Sequence, residues 1–270
     1  MKDKDDLKRR ITRLESLFEV TSRALVRSKY RALDRLDEQT PATRMLTCLI
    51  CEYQAAQQTF ATRVSECQFG GGRLERYACP QCGALFGPMK MLDITPDDLT
   101  DEYRLLYATY AEADPTEREL RTFASMSPVR GGTYLNWGCG ISSNTVAVLR
   151  GRGWDVWGYE PTALSTENHI ICRRAEIQAT FDGIFSNNVI EHFTEPVAQF
   201  RDFASMLKPG GVMAHTTPCY EYLYHNTRFH TIFYLEDSIR VLADKTGFEI
   251  VDRQVDGDYI NVLFRKTATQ

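Results

Sequence analysis

Four cysteines stand in two pairs, Cys48-Leu-Ile-Cys51 and Cys79-Pro-Gln-Cys82-Gly83, with 27 residues between them. Two residues between cysteines let both sulfurs of one turn reach the same ion. Two such turns supply four thiolates, the closed tetrahedral set of structural zinc. Gly83 suits a knuckle that needs a positive φ just past its second cysteine. The intervening loop exceeds the usual spacing and must be a longer hairpin, for which Gly70-Gly71-Gly72 offers the turn. The competing readings are a redox Cys-x-x-Cys, which is usually single, and four buried free thiols. Four closed ligands leave no place for a substrate water, so the metal is expected to hold a small unit together. Cys67 is a spare, weaker candidate ligand.

The chain around this cluster has 270 residues, 43% apolar and 25% charged, which excludes wholesale disorder and a fibrous chain. No stretch approaches the ~20 apolar residues of a membrane span. The charged start MKDKDDLKRR has no apolar run behind it. We therefore expect no signal peptide, a cytoplasmic protein and reduced thiols. The net charge of −4 is uneven: residues 1–90 carry +5 and residues 91–270 carry −9. A basic head hints weakly at a polyanionic partner, against the plainer reading of a solvated helix face.

Residues 4–36 contain no Gly or Pro, and Leu7, Ile11, Leu14, Phe18, Thr21 and Leu25 step by four and three. That is a heptad stripe at the lower limit of length for a coiled coil. It predicts either a helix packed on its own protein or one that pairs subunits in a homo-oligomer. Thr95-Pro96-Asp97-Asp98 signals a helix start, and Pro128 closes the helical stretch that follows. From Gly131 the pattern alternates. TYLNW, DVWGYE, GIFSNN, GVMAHTT, FEIVDRQ and INVLFRK read as strands, with helices at 143–150, 196–207 and 235–246. The fold class is therefore α/β. The organisation expected is an N-terminal helix over 1–40, a zinc ribbon over 41–92, a helical lead-in over 93–130 and the α/β domain over 131–270.

Tyr134-Leu135-Asn136-Trp137-Gly138-Cys139-Gly140 runs from a strand into a helix, where close-set glycines let backbone approach a ligand. About 20 residues on, Glu160 ends the next strand, where a carboxylate can accept from a ribose diol. Phe185-Ser186-Asn187-Asn188 ends a third strand, and Leu207-Lys208-Pro209-Gly210-Gly211 turns into another. On these motifs residues 131–270 resemble the class I S-adenosylmethionine-dependent methyltransferases. Asn136 stands where the family has an acid and Ser142 where it has its last glycine. Phe181 to His192 looks like its fourth-strand segment. The resemblance implies a Rossmann-like seven-stranded sheet whose last strand, near 260–265, runs antiparallel. It also implies an S-adenosylmethionine site at Asn136, Gly138, Cys139, Gly140, Glu160, Pro161, Asn187 and Asn188. The stretch between Pro161 and Asp182 is short for the family, so the adenine-contacting loop is cut down, and Glu176 would be only a guess for that contact. A nicotinamide dehydrogenase is the competing reading of the glycines and Glu160, but it lacks the third glycine and leaves the Lys-Pro-Gly-Gly turn unexplained.

A zinc ribbon ahead of such a domain resembles two-part methyltransferases of glycan biosynthesis, including deoxysugar C-methyltransferases. Phe229 to Ile239 looks like their His–x–aromatic–aromatic–Ser stretch. His230 matches the histidine, while Phe229 replaces a catalytic Glu, so C-methylation is not implied. Of the five histidines, His169, His192, His215, His225 and His230, the candidate catalytic pair is His230 first and His192 second. Ubiquinone-pathway O-methyltransferases place a metal on a Glu–x–x–Glu–His stretch similar to that ending at Glu191-His192, but Asn188 stands for the first Glu. Tyr220, Tyr222, Tyr224 and His225 could line an acceptor pocket or pack as an aromatic lid. The function expected is methyl transfer to a hydroxyl of a sugar or nucleotide-sugar, a small-molecule or glycan acceptor. The alternatives are an RNA-base methyltransferase with a zinc ribbon, against which the acidic catalytic half speaks, and a non-catalytic donor-binding assembly module.

Overall fold

The computed structural model describes residues 2–40, 43–110, 113–141, 144–163 and 169–267. Ser142, the position of the missing third glycine, lies outside them. Helix α1 (Lys2–Glu38) leads into two antiparallel strands, β1 (Met45–Thr47) and β2 (Gln54–Ala56). Then come β3 (Ala61–Glu66), β4 (Arg73–Ala78) and β5 (Leu85–Phe86). Gly70 and Gly72, at φ 74° and 66°, turn the β3–β4 hairpin. There the Cys67 amide donates to the Gly72 carbonyl at 2.9 Å.

Helices α2 (Met89–Leu92), α3 (Pro96–Tyr107) and α4 (Thr116–Ser125) follow. Thr95 caps α3 as its sequence predicts, its Oγ1 accepting from the Asp98 amide at 3.2 Å. The alternating half then lays down β6 (Thr133–Trp137), α5 (Thr145–Gly151), β7 (Asp155–Tyr159), β8 (Ile170–Ile171) and β9 (Phe181–Asn187). It ends with α6 (Pro196–Met206), β10 (Leu207–Thr216), β11 (Ile232–Phe233), α7 (Ser238–Thr246), β12 (Phe248–Asp256) and β13 (Tyr259–Lys266).

Seven strands form one sheet in the order β12-β13-β10-β9-β6-β7-β8. The strands from β10 to β8 pair in parallel, and β13 runs antiparallel to both β10 and β12, as expected from the sequence. The sheet buries both faces because side chains alternate along each strand. Tyr134, Phe185 and Ala214 face Phe123 of α4 and Leu149 of α5. Leu135, Ile184 and Met213 face Phe200 of α6 and Leu242 of α7. Strand β8 is only two residues long, which is how the short stretch after Glu160 is accommodated.

The cysteine-rich unit is not walled off from this sheet. Strand β11, which follows the fifth strand of the large sheet in the chain, pairs antiparallel with β5 and completes a second sheet, β11-β5-β4-β3. Cys48, Phe60, Tyr77 and Phe86 share one apolar cluster with Trp137, Phe200 and Phe264. Phe200 is wholly buried and touches the rings of Phe203, His215, Phe248 and Phe264. Phe200→Ala should lower stability by about 3–5 kcal/mol, read as a drop in the urea midpoint with an unchanged slope.

Candidate active site

Glycine turn and acidic strand end meet at the carboxyl edge of the sheet. Gly138 and Gly140 sit at φ 67° and 66°. The Gly138 and Cys139 amides both donate to the Tyr159 carbonyl, at 2.8 and 3.1 Å, which ties the turn to the end of β7. The Gly140 amide donates to Glu160 Oε2 at 3.0 Å. Glu160 Oε1 accepts from the Thr162 amide at 2.9 Å and its hydroxyl at 2.6 Å. The carboxylate that the sequence nominates for a ribose is thus fixed beside the glycines, with exposed Pro161 next to it.

A Cβ added to Gly140 would meet nothing within 4 Å, so this backbone faces open space. At Gly138 it would collide with Val189 at 2.7 Å. The Cys139 side chain is turned away and buried, within 2.7 Å of where a Gly158 Cβ would stand, and burial pushes its thiol up. Only its backbone belongs to the turn. Asn136 is also wholly buried, and its amide donates to Glu119 Oε2 of α4 at 2.9 Å. It braces the turn from behind. Asn187 ends β9 with a buried Oδ1 that has no protein hydrogen bond, and Asn188 follows at φ 55°. Glu176 is bound to Arg173 rather than set in a pocket.

Two of the five histidines stand together past β9. The ligating atoms of Glu191, His192 and His230 all lie within 4.8 Å of one another. His230 Nε2 is 4.0 Å from Glu191 Oε1, and its Nδ1 is 3.4 Å from Cys219 Sγ. His192 Nδ1 lies 3.0 Å from both the Tyr103 hydroxyl and the Phe229 carbonyl. Burial holds both imidazoles neutral. His192 is pushed down to about 4. His230 is held well below the usual histidine range by burial first and by the nearby charges of His192 and Arg76 next. A cleft of about 370 Å³ opens beside His192, lined further by Phe193, Glu195, Gln199 and Asp202.

The other three histidines are elsewhere. His215 is packed against Phe203 and bonded to Ser186, His225 stacks on Tyr222, and His169 lies against Trp157. Tyr220 is buried with its hydroxyl on the His215 carbonyl, whereas Tyr224 is exposed and donates to Asp258.

The segment carrying His230 is clamped from two sides. Arg76 of β4 is wholly buried and donates to the carbonyls of His225 at 2.8 Å, Thr227 at 2.7 Å and His230 at 3.1 Å. Arg228 donates to Glu102 of α3 at 2.7 Å, and Lys29 of α1 holds the other Glu102 oxygen at 2.7 Å. Burial raises the Glu102 carboxyl, but these two cations outweigh it and hold the group below the usual carboxylate range.

Behind β4 and β5 the four cysteine sulfurs also lie within 4.8 Å of one another, with Cys48 to Cys82 at 3.6 Å and Cys51 to Cys79 at 3.5 Å. A tetrahedral Zn–S₄ centre has sulfurs about 3.8 Å apart, so the set fits zinc and leaves no open position. Gly83 closes its knuckle at φ 80°, and Glu52 takes the matching left-handed place, at φ 63°, in the other. Cys67 lies at the far end of the β3–β4 hairpin, 3.9 Å from Arg228, and is not part of the set.

A family model described as a methyltransferase domain matches residues 107–253. The chain belongs to this family of enzymes. Among curated proteins, a ubiquinone biosynthesis O-methyltransferase from Parvibaculum lavamentivorans is 50% identical over 46 residues, 16% of this chain and 18% of that protein. The match therefore spans under a fifth of that relative. Among solved structures, the methyltransferase resembles the Burkholderia thailandensis 1,6-didemethyltoxoflavin-N1-methyltransferase, with a TM-score of 0.52 at 14% identity over 77% of this chain and 99% of that one. At that identity the likeness shows the fold alone. An S-adenosylmethionine-dependent methyltransferase from Clostridium acetobutylicum aligns at a TM-score of 0.43 and 14% identity, over 64% and 99% of the two chains.

The methyltransferase's own residues fit S-adenosylmethionine. Gly140 faces open space, Glu160 is fixed beside it, and Asn187 holds an unspent buried oxygen at the same edge. Arg76, Glu102, Glu119 and Arg228 carry no motif, and nothing in their neighbours' spacing marks them. Each acts through a partner between 17 and 154 residues away.

Two outcomes follow from this geometry. Purified protein should hold one zinc per chain by elemental analysis, and Cys79→Ser should lose it together with near-ultraviolet ellipticity. Because burial holds their pKa values below the usual histidine range, His192 and His230 should stay neutral as pH falls through 6.5. Imidazole nitrogen shifts in NMR would show this. His192 protonates only near pH 4, and the unfolded chain, binding protons earlier, makes stability fall as pH drops from 6.5 toward 4.

Proposed function

We propose that this methyltransferase moves a methyl group from S-adenosylmethionine to a hydroxyl oxygen of a sugar or nucleotide-sugar in cytoplasmic polysaccharide assembly. The observation that carries oxygen transfer is the His230–Glu191 pair, whose imidazole meets the ring of His192, a residue that lines a polar cleft. When bound, the donor supplies a methyl group on a positively charged sulfur that leaves as a neutral thioether.

Glu160 accepts from the ribose hydroxyls, and Gly140 lets the donor come against backbone. Asn187 Oδ1 offers a further acceptor to the donor's polar groups. On the other side, His230 Nε2 takes the proton of the attacking hydroxyl. A depressed pKa keeps the His230 imidazole neutral at neutral pH, and Glu191, 4.0 Å away, stabilises the imidazolium as it forms. Arg76 fixes the His230 backbone and so the ring's reach. His192, anchored to Tyr103 and Phe229, lines the cleft and sets its ring edge-on to that of His230, 5.0 Å between centroids.

Glu195, Gln199 and Asp202 line the cleft with hydrogen-bonding groups, which suits a polyol better than an apolar ring. The short identity to a ubiquinone biosynthesis O-methyltransferase supports oxygen as the methylated atom. Zinc on Cys48, Cys51, Cys79 and Cys82 has a structural part here, since a closed thiolate set offers no site for substrate.

The test is calorimetry with S-adenosylhomocysteine, followed by mass spectrometry of a nucleotide-sugar panel incubated with the donor. Glu160→Ala should weaken product binding about tenfold or more. His230→Ala should leave that binding intact while turnover falls by about 10²-fold or more. No donor-product binding would overturn the site. Binding with methylation only of RNA, or of no acceptor, would overturn the sugar reading.

A further inference from the structure

We infer that the first half of α1 pairs with the same helix of a second copy of this chain as a parallel two-stranded coiled coil. Helix α1 runs for 37 residues, about 55 Å at 1.5 Å per residue. Only its second half docks on the body. Val26 and Tyr30 are buried, with Leu33 beside them, against Met91, Leu106 and Phe229. Ahead of Ser22 the helix stands clear.

That free arm carries the heptad stripe outward. Leu7, Ile11, Leu14 and Phe18 are 45–65% exposed, and so is Leu17 at 60%. The first of the two readings of the stripe, packing on its own protein, therefore fails for this half. An isolated helix of ~20 residues is marginal in water, and so continuous an apolar stripe is seldom left open.

Three features point to a second copy as the occupant. The stripe places Leu7 and Leu14 at one core position of the heptad and Ile11 at the other. Leucine at d with a β-branched residue at a favours two parallel strands. The flanking charges match that geometry. Arg10 falls at a g position and Glu15 at the e position five residues on, so each Arg10 meets the partner's Glu15 across the seam, twice per dimer. Finally, the free arm carries the repeat over about three heptads, the length at which such a pairing becomes sustainable. The outer face mixes Asp5, Asp6 and Glu19 with Arg9 and Arg13, which suits water rather than an anionic membrane.

Full-length protein at tens of micromolar should show twice the chain mass of 30.9 kDa by light scattering. Leu14→Asp with Phe18→Asp should give a monomer whose body melts at the wild-type temperature, since neither residue touches it. Arg10→Glu should loosen the dimer about tenfold, and adding Glu15→Arg should restore it. A wild-type monomer, a dimer indifferent to the Leu14/Phe18 change, or a double charge swap no better than the single would each overturn the inference. So would a monomer that instead binds phosphatidylserine vesicles through this arm.

Discussion

Arg76 is a full positive charge with no exposed surface. Among the described residues its guanidinium is satisfied by the carbonyls of His225, Thr227 and His230 and by Ser65 Oγ, and by no carboxylate. Burial pulls its pKa down, yet an arginine stays charged. A charge so placed is costly to leave unpaired, by several kcal/mol. It therefore forces residues 225–230 to fold around it. Arg76 belongs to β4 and His230 to the far end of the chain, so one side chain welds the cysteine-rich sheet to the candidate base.

The other contacts extend this weld. The pairing of β11 with β5 continues the same strand edge, and the Gly87 amide reaches the Thr231 carbonyl at 2.9 Å. Arg228 with Glu102 and Lys29 holds the opposite flank and brings α1 and α3 into the same assembly. The thiolate cluster lies just behind the strands that carry these groups. In this arrangement a metal held by the four cysteines would act at a distance, keeping β4 and β5 where Arg76 and β11 need them.

The alternating half was largely legible in the sequence because its central strands are largely buried runs, several bounded by Gly or Pro. TYLNW coincides with β6 to the residue, and the antiparallel last strand falls where the family resemblance implies. The two-residue strands β8 and β11 were not legible. They are set by partners in distant strands, and two residues have no period. The same holds at the site. Gly138, Gly140 and Glu160 announce themselves by spacing, since local backbone geometry demands them. The Asn136 amide, by contrast, is held by Glu119, a partner only the tertiary fold supplies. Cys139 likewise contributes backbone and hides its sulfur. The cysteine pairs were legible because metal chemistry fixes their spacing, whereas the burial of Arg76 has no sequence sign at all.

The central claim is that the thiolate cluster and the His230 segment form one mechanical unit. Hydrogen–deuterium exchange after metal removal tests it most directly. Stripping the metal should expose the amides of Gly87, Thr231 and Phe233 along with the two cysteine knuckles, while β6 and β9 keep their protection. Loss of protection confined to the knuckles, with the 225–233 segment unchanged, would contradict it.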